Sequence, residues 1–195
     1  MEKALARYKT NDSYPLELYF PMEFLQDLQF CNTLSDDIKA YGNWGVIKNV
    51  SSVSSNNIPS DRGIYMFVWT PKFFLYNDDD KISFKYVVYV GDASNENNLL
   101  DKFNKNYKNV INSEPDIHWT KDVASSRIDR LKKVMNLGCL EYWYLTMDRA
   151  SVGQIMDVKN RLVRIFNPPG NEGFRKPIRA IVEHDKAVPA FEPAF

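Results

Sequence analysis

The side chains best equipped for chemistry are few and scattered in this 195-residue chain. Its two cysteines, Cys31 and Cys139, and two histidines, His118 and His184, form neither a Cys-x-x-Cys nor a His-x-x-x-His pair, so their spacing argues against a structural zinc site. The cysteines can form one disulfide, but buried free thiols are the expected state, and the histidines receive no catalytic role. What does cluster is positive charge. Arg127, Arg130, Lys133, Arg161, Arg164 and Arg175 fall in the second half, interleaved with Tyr107, Trp119 and Phe174. Such a distribution can track a nucleic-acid backbone, or it can be a solvated helix face paired with its own acids, Asp122 and Asp129.

These groups must be held by a fold, and composition bounds it. The chain is 44% hydrophobic and 14% aromatic, too apolar for general disorder and long enough to bury a core. Its longest apolar stretches, Ile64 to Trp69 and Tyr86 to Val90, are strand-sized, so no membrane span is expected. The opening MEKALARYKTNDSYP turns polar before an apolar signal region forms, so no signal peptide and a cytoplasmic location are expected. The 25 basic and 25 acidic residues balance, but not evenly along the chain. Residues 1–98 carry 9 basic and 13 acidic side chains, net −4; residues 99–195 carry 16 and 12, net +4.

Punctuation and periodicity divide the chain. Residues 1–58 read as an N-terminal extension and linker, with a short helix opened by Pro21, another starting near Ser35-Asp36-Asp37, and the polar run SSVSSNNIPS as a loop. GIYMFVW and FKYVVYV read as strands joined by a long hairpin connection containing NDDDK. Leu99, Leu100, Phe103 and Tyr107 then recur at helical spacing, a second helix is expected over Val123 to Met135, and CLEYWYL reads as a third strand. A last helix from about Ser151 to Phe166 stops at Asn167-Pro168-Pro169-Gly170-Asn171. The core domain is placed at 59–175, with 176–195 as a C-terminal strand and tail.

Four of these features in this order resemble the GIY-YIG nuclease domain: Gly63-Ile64-Tyr65 on the first strand, Tyr89-Val90-Gly91 ending the second, a helix opened near Asn98-Leu99, and a late helix ending in Asn167-Pro168-Pro169-x-Asn171. The resemblance spans roughly Ile58 to Asn171. It implies an α/β domain with a small central antiparallel or mixed sheet flanked by helices, and a site that hydrolyses DNA phosphodiesters with one divalent metal. Tyr65 would help activate the attacking water and Tyr89 would line the same site, a phenol relaying a proton when a neighbouring cation lowers its pKa. Gly63, Gly91 and Asn171 would be structural.

The chain departs from the family where the chemistry is most demanding. The helix after the second motif carries Lys102 where the family has arginine, keeping the charge and losing the bidentate fork. The metal-binding glutamate position, nine residues before Pro168, is Lys159, and an ammonium repels a cation. Leu162 and Val163 support that register. Asp157 lies about 200° around the helix from Lys159, which leaves Asp92 and Glu141 as weak metal candidates. The resemblance therefore implies a protein that engages DNA with impaired or lost hydrolysis, Lys102 and Lys159 holding phosphate without metal. Two alternatives stay open: an active endonuclease using Mg²⁺ or Mn²⁺ on unusual ligands, and a non-enzymatic module that docks a protein through its N-terminal extension.

Overall fold

The computed structural model describes residues 20–71, 73–77, 80–95, 97–112 and 140–171. They form an α/β domain whose small antiparallel sheet is flanked by helices. In chain order the elements are α1 (Met22–Leu25), α2 (Leu28–Tyr41), β1 (Gly45–Ile47), a 3-10 turn (Ser52–Asn57), β2 (Gly63–Trp69), β3 (Phe74–Asn77), β4 (Asp80–Ser83), β5 (Tyr86–Ala93), α3 (Leu99–Asn106), α4 (Lys108–Asn112), β6 (Leu140–Thr146) and α5 (Val152–Phe166). Among the described residues, no helix is long and apolar enough to cross a membrane. The helix expected over Val123 to Met135 and the C-terminal strand and tail lie outside the described residues.

The main sheet has the order β1-β6-β2-β5, and every pairing is antiparallel. β2 is central and buried on both faces, which is why its sequence is almost continuously apolar rather than alternating. Side-chain alternation then sorts the core into two halves. Tyr65, Phe67, Tyr89, Leu140 and Tyr142 face one side, beneath Leu99 and Phe103 of α3. Ile64, Met66, Val68, Val90 and Leu145 face the other, beneath Ile155, Val158 and Leu162 of α5. A register shift between Phe67 and Val68 leaves Val88 as an extra residue in β5, and Val88 and Tyr89 both join the first core.

Part of the expected extension is integral to this domain. β1 is an edge strand of the sheet, and Leu34, with Ile38, Tyr41 and Trp44, packs in the α5-side core. The Ser35-Asp36-Asp37 start is corrected: α2 begins at Leu28, because Asp27 caps it by accepting from the Phe30 N–H at 3.0 Å. Packing against α5 turns Leu34, Ile38 and Tyr41 inward as one stripe. Pro21 directly precedes α1. The serine-rich loop is a 3-10 turn with Ser54 and Ser55 buried, Ser54 Oγ accepting from the Ser51 N–H at 2.9 Å. α5 starts in a reciprocal cap between Ser151 and Gln154 and stops at Asn167, which adopts the left-handed conformation at φ 40°.

Candidate functional site

The two motif strands pair so that Tyr65 lies opposite Gly91 and Phe67 opposite Tyr89. Tyr65 and Tyr89 therefore share a face, with ring centroids 6.1 Å apart. Around Tyr65 the rings of Tyr142 and Tyr107 each sit at 5.6 Å, Tyr142 stacked and Tyr107 edge-on. Tyr65 is only 2% exposed and Tyr107 1%, and their hydroxyls are hydrogen-bonded at 2.7 Å. Tyr107 reaches this position because Leu99, Phe103 and Tyr107 recur every four residues along one helical face. That spacing is visible in the sequence, but not the identity of the phenol it meets.

Gly91 is what allows the arrangement. A Cβ there would lie 2.3 Å from Tyr65 Cζ, so the Tyr65 ring occupies the space that any other residue would fill. Gly63 is constrained differently, since a Cβ would lie 2.0 Å from the Leu145 carbonyl oxygen of the neighbouring strand. Burial, reinforced by the neighbouring phenols Tyr107 and Tyr89, pushes the Tyr65 pKa well above the usual phenol value. Burial likewise raises that of Tyr142. A phenol poised to relay protons near neutral pH needs the opposite shift.

The two lysines lie on helices that cover opposite faces of the sheet. Lys102 lies half-buried on α3, the helix over the tyrosine face. Lys159 lies on α5, which covers the opposite face, and its Nζ sits 3.2 Å from Asp92 Oδ1. Asp92 is paired with Ile64 across the ladder and so points to the α5 side; its other oxygen accepts from Ser94 Oγ at 2.5 Å. The positive charge at position 159 is thus matched by a carboxylate on the adjacent strand, and the two side chains are 22% and 18% exposed. The acid of this pair is on the strand and the base on the helix.

Glu141, the other weak metal candidate, also faces the α5 side, opposite Val68. Its Oε2 accepts from Lys85 Nζ at 2.7 Å and from the Trp143 indole N–H at 2.8 Å. Burial acts to raise its pKa, but the hydrogen bonds from Lys85 and Trp143 and the charges of Lys85 and Lys48 outweigh it, so the pKa is lowered below its ordinary 4.5. A depressed carboxylate pKa stabilises the folded state above the unfolded pKa, and that contribution is lost as pH falls through the folded value. Urea titrations from pH 7 to about pH 3 are therefore expected to show Glu141→Gln with a shallower loss of stability below about pH 4.5 than the wild type. Equal slopes would show that Glu141 is not coupled to folding.

Asn171 braces β5 from outside the sheet. Its Oδ1 accepts from the Val90 N–H at 2.9 Å and its Nδ2 donates to the Val90 carbonyl at 2.7 Å, while the Gly170 N–H donates to the Val88 carbonyl at 2.9 Å. The turn after α5 thereby takes the place of a neighbouring strand.

Of the residues expected on a nucleic-acid face, Arg127, Arg130, Lys133 and Arg175 lie outside the described residues. Arg161 is an internal strut, its Nη2 contacting Asp37 of α2 and, at 2.8 Å, Asp157 one turn back on α5. Arg164 is exposed. Among the described residues, no group of three or more His, Cys, Asp or Glu side chains is placed to hold a metal ion. Cys31 is a free, half-buried thiol; Cys139, His118 and His184 lie outside the described residues. No protein-family model, curated protein or solved structure matches the chain.

Proposed function

We propose that this protein is a GIY-YIG-like module that binds without cleaving, with DNA as its ligand. One observation carries the non-hydrolytic part of the reading: the Tyr65 hydroxyl is sealed among buried rings and engaged by Tyr107, on the opposite side of the sheet from Lys159. A group in that setting has no route to an attacking water, and its pKa is displaced away from proton transfer. The pairing of Lys159 with Asp92 neutralises the charge at the metal position, which supports neither a divalent cation nor phosphate held by that lysine alone. DNA as ligand rests on the basic excess of residues 99–195 and on exposed Lys105, Lys108 and Arg164.

A supercoiled-plasmid assay with Mg²⁺ or Mn²⁺ is expected to give no nicking by wild type or by Tyr65→Phe. Tyr65→Phe is expected to cost about 1 kcal/mol of stability, the ordinary worth of one buried hydrogen bond. Nicking by the wild type that disappears in Tyr65→Phe would overturn the reading. Binding to a duplex of about 25 base pairs should weaken steeply with salt. Failure to bind duplex at any ionic strength would favour the alternative in which a protein docks on the N-terminal extension, where Phe20, Met22 and Leu28 are exposed.

A further inference from the structure

The β3-β4 ribbon is isolated from the main sheet. Its strands have four residues each, β4 is exposed throughout, and only Phe74 in β3 is half-buried. A two-stranded ribbon of this size is marginal by itself in water; a third strand or a packed face is what stabilises such units. The Leu75–Ile82 cross-strand pair is apolar but 49% and 43% exposed, and Tyr76 on the opposite face is 73% exposed. The ribbon therefore shows apolar surface together with an outer β3 edge that has no strand partner among the described residues.

The other strand edges are each blunted in a recognisable way. β1 is three residues long. The edge of β5 is occupied by the Gly170 N–H and the Asn171 side chain. β4 carries Asp80 and Lys81. β3, with the sequence Phe-Leu-Tyr-Asn, contains no charge and no proline.

We propose that the outer edge of β3 pairs with β3 of a second copy of this chain, making a continuous four-stranded ribbon across a two-fold axis. With the axis passing through Leu75, antiparallel pairing sets Leu75 opposite Leu75 on one face and Phe74 opposite Tyr76 on the other. Aliphatic meets aliphatic, aromatic meets aromatic, and no charge enters the new ladder. The same operation on β4 would centre on Lys81, setting two lysines opposite each other and Asp80 opposite Ile82, or on Ile82, setting Lys81 opposite Ser83, so charge enters the junction either way. The exact balance of 25 basic and 25 acidic residues leaves no net repulsion between two copies. An edge of four residues is small against the area a permanent dimer buries, so the association is weak and concentration-dependent. This inference is independent of DNA binding.

Sedimentation equilibrium of the full chain from about 5 to about 500 µM is the test. The weight-average mass is expected to rise from one chain toward two. Leu75→Lys and, separately, the more exposed Tyr76→Lys are each expected to weaken association at least about tenfold, while Val46→Lys on β1 leaves it unchanged. Circular dichroism checks that the variants remain folded, and Tyr76 is exposed enough that its replacement leaves the core intact. A chain that stays monomeric across the whole range, or a dimer that both lysine variants leave undiminished, would overturn the proposal.

Discussion

Gly91→Ala is expected to destabilise the protein by at least about 3 kcal/mol, or to prevent folding, because the new methyl would overlap a ring that has nowhere to go. The clash is with Tyr65 Cζ at 2.3 Å and its hydroxyl oxygen at 2.4 Å. On an exposed tyrosine such a contact would be relieved by a rotamer change. Here Phe67, Tyr89, Tyr107 and Tyr142 all lie within 6.3 Å, centroid to centroid, and the hydroxyl is held by Tyr107. Equilibrium urea unfolding gives the magnitude, and a double-mutant cycle with Tyr65→Ala gives the cause. If the two side chains compete for one space, the double variant is more stable than the sum of the single effects by about 1 kcal/mol or more. A Gly91→Ala protein within about 1 kcal/mol of wild type would mean that Tyr65 swings out readily. That result would also reopen a catalytic role for its hydroxyl.

The second large effect is expected at Asn171. Asn171→Ala removes two buried hydrogen bonds and strands both the N–H and the carbonyl of Val90, a loss of about 2–4 kcal/mol. Asn171→Asp separates the two contacts. It keeps an acceptor for the Val90 N–H but turns a second oxygen toward the Val90 carbonyl, so it should be at least as damaging as alanine near neutral pH. Amide hydrogen exchange at Val90 reports the site directly, and should rise toward the rate of an unprotected edge in both variants. Unchanged protection would show that the turn after α5 is not what covers β5. The effect is large because a side-chain amide sets an N–H donor beside a carbonyl acceptor, which is what one residue of a missing neighbouring strand would present.

β2, β5, β6, α3 and α5 could be read from patterns in the sequence, whereas β1, β3 and β4, strands of three or four residues, are too short to carry such a pattern. Gly63–Trp69 is continuously apolar since it is central, Asn98 caps α3 by accepting from the Asp101 N–H, and α5 runs between Ser151 and Asn167. The start of α2 was misplaced because Asp27 and Ser35-Asp36-Asp37 offer competing caps. Only the inward position of Leu34, set by packing against α5, selects the first. The role of Lys85 was not visible either, because its partner Glu141 lies 56 residues away.

The sequence by itself determined which side chains stand at the positions of interest: Tyr65 and Tyr89 on strands, Lys102 and Lys159 on helices. It also determined the helix ends and strand runs that carry them, since caps and periodicity act over three or four residues. Only the tertiary structure decided how those side chains meet. Strand pairing put Tyr65 over Gly91 and beside Tyr107, and alternation along β5 sent Asp92 through to the α5 face to meet Lys159. A one-residue difference in position along a strand reverses the face a side chain occupies. Whether two distant groups share a site is therefore a property of the register and not of either segment alone.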